Sequence, residues 1–183
     1  MKKSIIAAGA ASVALAAMPI VGAFAAGGTV IDNINVTVGD GCTVTNATTT
    51  RTVTISATAG AAAVTEDGDD INLVCNTTNW TGTAQGTGAN GATDLYKDAT
   101  NKIETGATFS GNTSAWGFKL TATGGTVDPS YADYAAVPST AASAITGTAK
   151  SATITPSYKV FAAADQEAGA YTGQVTYVFA VNS

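Results

Sequence analysis

The chain has 183 residues, of which 45% are hydrophobic and only 11% are charged, and it contains no histidine. This composition is that of one globular domain long enough to bury a core. The formal net charge of −5 argues against nucleic acid and against an anionic membrane surface, which need a basic face, so neither is expected as a partner.

Residues 1–25 have the pattern of a bacterial secretory signal peptide. The sequence starts Met-Lys-Lys, residues 5–17 form a short apolar run rich in alanine, and Ala23 and Ala25 are the small residues that precede a cleavage site. The apolar run is short for a membrane anchor. We therefore expect a mature domain over residues 26–183 that is secreted to the cell surface or the extracellular space and has no membrane span.

Two cysteines remain in the predicted mature domain, Cys42 and Cys75. In a secreted protein an even number of cysteines indicates a disulfide. A metal site is a poorer explanation because there is no histidine and no C-x-x-C motif. The sequence therefore predicts a Cys42–Cys75 bond, which chain-entropy reasoning values at roughly 3–4 kcal/mol.

Most of the remaining chain alternates apolar and polar residues with a period of two, which is typical of half-buried β-strands. Turns rich in Gly, Pro, Asn and Asp separate these segments, and helical periodicity is nearly absent apart from one helical turn at residues 141–144. The predicted strands are residues 29–38, 42–46, 52–57, 71–76, 116–123, 151–162 and 171–181.

Two of these strands have an irregularity. Segment 29–38 places Val30, Ile34, Val36 and Val38 on one face, and Asp32 interrupts that face. In the segment 151–162, Pro156 cannot donate a ladder hydrogen bond, which predicts an edge strand or a bulge there.

Elsewhere the alternation is regular, and it predicts which side chains face the core. The predicted inward residues include Val53, Ile55 and Ala57, Ile71, Leu73 and Cys75, Trp116, Phe118 and Leu120, Ile154, Tyr158 and Val160, and the odd positions from Tyr171 to Val181. Several short strands with apolar faces must cover one another, so the expected fold class is all-β, a sandwich or a barrel.

No arrangement of residues for catalysis is evident. A serine or cysteine nucleophile needs a neighbouring base, but histidine, G-x-S-x-G and S-x-x-K are all missing from the sequence. The acidic residues cluster in predicted turns rather than in pairs across a cleft. We expect no enzyme and no cofactor.

The predicted turn at residues 66–70 is a weak candidate for calcium. Glu66, Asp67, Asp69 and Asp70 offer oxygen ligands within a short stretch. The spacing differs from that of an EF-hand loop. An acidic turn that is simply solvated is the alternative interpretation.

Aromatic side chains could form a platform for a sugar ring. Trp80, Tyr131 and Tyr134 are the candidate ligand-facing residues, because aromatic rings stack on apolar faces while their polar edges stay wet. Trp116 is excluded because it alternates with Phe118 and Leu120, which places it in the core.

Three segments carry a resemblance to known families. The set VTVGDGCTV, INLVCN and AGAYTGQVTYVFAV is similar to chaperone–usher pilin subunits, and the closing segment also resembles secreted bacterial proteins of the spore-coat-U type. The resemblance implies an immunoglobulin-like β-sandwich. In the pilin case it implies an incomplete fold that a neighbouring subunit's N-terminal extension completes, with residues 29–38 as the donor strand.

The expected function is that of a secreted structural or adhesive β-sandwich protein at the bacterial cell surface, without catalytic activity. Its expected partners are other cell-surface proteins or copies of itself, and glycans are a further candidate. One alternative is a pilus or fimbrial subunit assembled by strand donation, and a second is a carbohydrate-binding module.

Overall fold

The structure is a computed structural model that describes residues 27–38, 41–46, 50–88 and 93–182, so the predicted signal peptide lies outside the described residues. In the described part the only helix is a short 3-10 helix, Pro129–Tyr131, and no helix there has the length and apolar character needed to cross a bilayer. The predicted all-β class is confirmed. The strands are β1 (Gly27–Val38), β2 (Cys42–Val44), β3 (Thr50–Thr58), β4 (Val64–Asp67), β5 (Ile71–Cys75), β6 (Trp80–Gly86), β7 (Leu95–Tyr96), β8 (Lys102–Thr105), β9 (Ala115–Thr123), β10 (Gly125–Val127), β11 (Ala142–Gly147), β12 (Ser151–Phe161) and β13 (Ala170–Val181).

The strands form two mixed sheets that pack face to face. The front sheet has the order β3-β1-β13-β6-β11-β10. The back sheet has the order β8-β9-β12-β5-β2, and β4 also pairs with β12. The short strand β7 pairs with β13 on one side and with β8 on the other, so it continues the hydrogen bonding from the front sheet to the back sheet.

Aromatic side chains from both sheets meet in the core. Tyr177 of β13 packs its ring edge-on against Phe118 of β9, with the ring centroids 6.3 Å apart. Its hydroxyl lies 3.3 Å from the hydroxyl of Tyr158 on β12, which satisfies two polar groups that would otherwise be costly to bury. The alternation predicted for β5, β9, β12 and β13 is confirmed. The largest fully buried side chains are Trp80, Trp116, Tyr158, Tyr171, Tyr177, Phe118, Phe179, Ile55, Ile71, Leu73 and Leu95.

The predicted disulfide is present. Cys42 of β2 and Cys75 of β5 are directly opposite each other in the back sheet, and their sulfur atoms are 2.04 Å apart. Both residues are buried. The bond therefore holds the three-residue strand β2 against β5.

The structure corrects the sequence analysis at β6 and β11, which were not predicted as strands. In β6 the inward positions are Trp80, Gly82, Ala84 and Gly86, so small residues hide the alternation. At Gly82 an added Cβ would lie 2.7 Å from the ring of Phe179. In β11 a register shift between Ser143 and Ile145 places consecutive residues inward, which breaks the period of two. The helical turn predicted at 141–144 was wrong.

The interpretation of Pro156 also needs correction, because β12 is a central strand. On one edge β12 pairs with β9 along its length. On the other edge β5 ends its pairing at Ile154 and β4 begins its pairing at Ser157. Pro156 lies between the residues that pair with β5 and those that pair with β4, so its missing N–H interrupts neither of these two ladders. Residues 66 and 67 of the acidic turn predicted at residues 66–70 belong to the strand β4.

Candidate functional site at the first strand

The strand β1 lies between the last strand of the chain and β3. It runs parallel to β13 over ten register pairs, from Thr29 opposite Ala170 to Val38 opposite Phe179. It runs antiparallel to β3 over nine pairs. Both edges of β1 are therefore paired. The side chains of β1 are not among those that the structure describes, so the face predicted for Val30, Ile34, Val36 and Val38 stays a prediction.

Within the described chain, β3 pairs with β1 alone. Without β1, the edges of β3 and β13 would face each other across a gap as wide as one strand, about 10 Å between the two strand axes. We call this gap, bounded by β3 and β13, the acceptor groove. An extended segment that enters it can bond to the backbone on both sides, which is the chemistry of strand addition.

The walls of the acceptor groove are apolar on the side that faces the core. Tyr171, Val175, Tyr177 and Phe179 of β13 are each at most 1% exposed, and Ile55 of β3 is 2% exposed. Without β1, the facing edges of β3 and β13 would present unpaired backbone N–H and C=O groups beside this apolar core. A strand that fills the groove pairs these groups on both sides.

A glycine marks one position on the wall of the groove. Gly173 of β13 is in register with Asp32 of β1. An added Cβ at position 173 would lie 2.5 Å from Cδ2 of the buried Leu95. Only glycine therefore fits this position without displacing Leu95. The alternation in the sequence identified Asp32 as the residue that interrupts the apolar face of β1, but it did not predict that Gly173 is the register partner of Asp32.

The hydroxyl of Tyr171 fixes the start of β13. It donates to the carbonyl of Glu167 at 2.7 Å and accepts from the side-chain amide of Gln166 at 2.6 Å. Both partners lie in the turn that was predicted at residues 165–169. This network holds the beginning of the strand that forms one wall of the acceptor groove.

The candidate aromatic residues have three different environments. Trp80 is fully buried, and its indole N–H donates to the carbonyl of Ala149 at 2.8 Å. Trp80 therefore does not face a ligand, contrary to the sequence-based candidate set. Tyr131 is half-buried and its ring lies 5.2 Å from that of Phe118, so it covers the core. Burial raises the pKa of Tyr131, and the nearby Asp128 carboxylate adds to this shift.

Tyr134 is the one of the three candidates that lies on the outer face of the back sheet. It is half-exposed, and its ring is 6.0 Å from the ring of Phe109. Burial raises the pKa of the Tyr134 hydroxyl, and the Asp67 carboxylate contributes to the rise. The ammonium groups of Lys119 and Lys159 also lie over this ring.

The four acidic residues proposed for calcium do not converge. Asp67 accepts from the hydroxyl of Ser157, and Asp70 accepts from the hydroxyl of Thr155. Across the residues with described placement, no group of three or more His, Cys, Asp and Glu side chains is arranged to hold a metal ion. The calcium site at Glu66, Asp67, Asp69 and Asp70 therefore stays a prediction that the described geometry does not support.

Comparison with known proteins gives no family. The sequence matches no protein-family model, and no curated protein matches it significantly. The function must therefore be argued from the geometry of the acceptor groove and the surface around it.

Proposed function

We propose that the chain is a secreted structural subunit of the bacterial cell surface, which joins to copies of itself by placing β1 in the acceptor groove of a neighbour. The observation that carries the proposal is the position of β1. It fills a groove between β13 and β3, and β3 pairs with β1 alone in the described chain. The resemblance to pilin subunits supports the same interpretation, and an immunoglobulin-like topology is part of the proposal.

In the acceptor groove of a neighbour, β1 would pair with the same two strands, β13 and β3, as in its own chain. Every copy carries one β1 and one acceptor groove, so exchange replaces each intramolecular contact by an identical contact between copies. The balance between the two arrangements then depends mainly on the local protein concentration. High concentration at a cell surface favours the joined form.

A self-contained surface domain is the second candidate. Its support is that one chain by itself pairs both edges of β1. In this case the protein would have the structural or adhesive role without forming chains.

A disulfide that locks β1 in place separates the two candidates. Asn33 of β1 is in register with Gln174 of β13, and neighbouring strands lie about 4.8 Å apart, within the Cα range that a disulfide spans. In the Asn33→Cys, Gln174→Cys variant, β1 cannot leave its own groove. We expect the unlocked protein to form ladders of oligomers when it is held just below its melting temperature at high concentration, and the locked variant to stay monomeric, as measured by size-exclusion chromatography with light scattering.

The matched control is Asn33→Ser, Gln174→Ser, which changes the same positions without a bond and should form oligomers like the natural chain. Equal oligomer formation by the locked variant, or none by the natural chain under any of these conditions, would reject strand exchange. The second result would leave the self-contained domain as the better description.

A further inference from the structure

The outer face of the back sheet carries two lysines that are held over aromatic rings. Nζ of Lys119 on β9 lies 4.9 Å from the centre of the Tyr134 ring, and Nζ of Lys159 on β12 lies 5.2 Å from the same centre. Lys159 also lies 5.0 Å from the centre of the Phe109 ring. Cation–π contacts of this kind fix the position of an ammonium group without neutralising it.

A glycine allows this arrangement to form. Gly117 is opposite Lys159 in the ladder between β9 and β12. An added Cβ at Gly117 would lie 2.4 Å from the carbonyl oxygen of Ala135 and 3.1 Å from the ring of Phe109. The loops that carry Phe109 and Tyr134 can therefore lie directly on the sheet beside the two lysines.

The ion pairs found among the described residues involve Lys97 and Lys102, and not Lys119 or Lys159. Both ammonium groups are near one ring, so they repel each other, and an anion between them would relieve the repulsion. The pKa of Tyr134 is raised by burial and also by the Asp67 carboxylate, so two ammonium groups and one carboxylate share this end of the face.

From the two lysines a row of hydroxyl groups continues along the same face. Thr121 and Thr123 of β9 are opposite Thr155 and Thr153 of β12, and the two β9 residues are exposed. We call this surface the lysine–threonine strip, and it consists of Lys119, Thr121, Thr123, Thr153, Thr155 and Lys159. From Lys119 to Thr123 it is about 14 Å long at the usual rise of a strand.

The strip ends in shallow hollows. A hollow of about 100 Å³ is lined by the four threonines together with Ala122. Next to it, a hollow of about 390 Å³ includes Asn72, Thr123 and Val74 in its lining. Val74 is a large apolar side chain that is 45% exposed, and it offers an apolar contact at the end away from the lysines.

We propose that the lysine–threonine strip binds an acidic polysaccharide, with a carboxylate of one sugar at Lys119 and Lys159 and the following sugars along the threonines. Hydroxyl groups of the strip can donate to and accept from sugar hydroxyls. A peptide is the poorer fit, because peptides add to sheets at strand edges, and this surface is the face of a sheet. Asp67 and Asp70 border the strip but are already hydrogen-bonded to Ser157 and Thr155.

The test uses the mature protein and an oligomer of galacturonic acid, with the same oligomer fully methyl-esterified as the uncharged counterpart. Titration followed by ¹⁵N–¹H NMR should show binding of the acidic oligomer with shifts along β9 and β12. The methyl ester should bind at least tenfold more weakly. The Lys119→Gln, Lys159→Gln variant should lose at least tenfold in affinity for the acidic oligomer, whereas Lys150→Gln, an exposed lysine outside the strip, should bind like the natural chain.

A further probe is poly-L-glutamate, whose binding should be clearly weaker than that of the acidic oligomer. Equal binding of poly-L-glutamate, an equal loss in Lys150→Gln, or no shifts with the acidic oligomer would each overturn the proposal. The melting temperature of each variant shows that it is folded. A fall in melting temperature in the double variant, together with no binding by the natural chain, would mean that the lysines only fasten the two loops.

Discussion

At the scale of single residues, two glycines are required because a neighbouring side chain occupies the space that a Cβ would need. Neither Gly82 nor Gly173 has a positive φ, yet an added Cβ would meet Phe179 at 2.7 Å in the first case and Leu95 at 2.5 Å in the second. Both glycines make room for a large apolar side chain that belongs to the core. Glycine is needed at both positions for the packing of side chains and not for a turn of the backbone.

Gly173→Ala should therefore destabilise the fold. The new methyl group must displace the buried Leu95, and overpacking of this kind costs typically 1–3 kcal/mol. We expect a lower melting temperature in thermal unfolding. The matched control is Gly106→Ala, where the nearest neighbour of the new Cβ is an ordinary contact at 3.6 Å, and this change should be close to neutral. A melting temperature of Gly173→Ala equal to that of the control would contradict the assigned packing.

A second residue-scale feature is the Asp98 carboxylate in the turn between β7 and β8. It accepts from the backbone N–H groups of Thr100 at 3.0 Å and Asn101 at 2.8 Å, and also from the amide side chain of Asn101. These bonds, above all those from the Asn101 side chain, hold the pKa of Asp98 well below its usual range.

The direction of the resulting pH effect follows from linkage. A carboxylate with a lower pKa in the folded state adds stability above its unfolded pKa of about 3.9, and this contribution is lost as the pH falls through the folded value. We expect an NMR titration of Asp98 in the intact protein to have its midpoint below that of a peptide of residues 94–103. Coinciding midpoints would show that the turn does not form as described.

At the scale of elements, the sequence of β1 has one charged residue in its predicted apolar face. Its alternating apolar positions 30, 34, 36 and 38 are interrupted by Asp32, which is in register with Gly173. If Asp32 faces inward as the alternation predicts, its charge makes the pairing of β1 in the groove less stable. Under the proposed strand exchange, this would help β1 to leave its own groove.

Asp32→Val should therefore stabilise the monomer and slow exchange. If position 32 faces inward as the alternation predicts, a buried valine adds about 1.5–3 kcal/mol relative to an exposed one. We expect a higher melting temperature and slower oligomer formation by light scattering. Asn33→Val, at the opposite parity of the same strand, is the control and should change both quantities less. An unchanged or lower melting temperature for Asp32→Val would mean that position 32 faces outward.

The period of two made β5, β9, β12 and β13 predictable, because each places large apolar side chains inward and polar ones outward. It failed for β6, whose inward residues include Gly82 and Gly86, and for β11, whose register shift puts Ala144 and Ile145 inward together. In both cases the neighbouring strands determine the conformation, and a local pattern does not contain that information.

At the scale of the whole molecule, the sites were harder to predict than the fold. The disulfide and the strand at residues 29–38 could be inferred from local patterns. The acceptor groove could not, because the pairing of β1 with β13 joins segments from distant parts of the chain. Tyr134 was recognised as a candidate, but Phe109 and the two lysines meet it only because loops fold onto the sheet at Gly117.

The proposed exchange also determines the geometry of an assembly. Each copy has one β1 to give and one acceptor groove to fill, so the contact joins two different surfaces. Head-to-tail contacts of this heterologous type generate open chains or rings, whereas reciprocal exchange between two copies closes a two-fold dimer. The lysine–threonine strip lies on the back sheet, away from the groove, so it would be repeated along such a chain.

The paired edges of β1 have a mechanical consequence. If β1 joins neighbouring subunits as proposed, tension between them acts along β1, parallel to the ten pairs with β13 and the nine pairs with β3. A load in this direction would shear both ladders and be shared by all their hydrogen bonds at once, whereas a load across the strand would open them one after another.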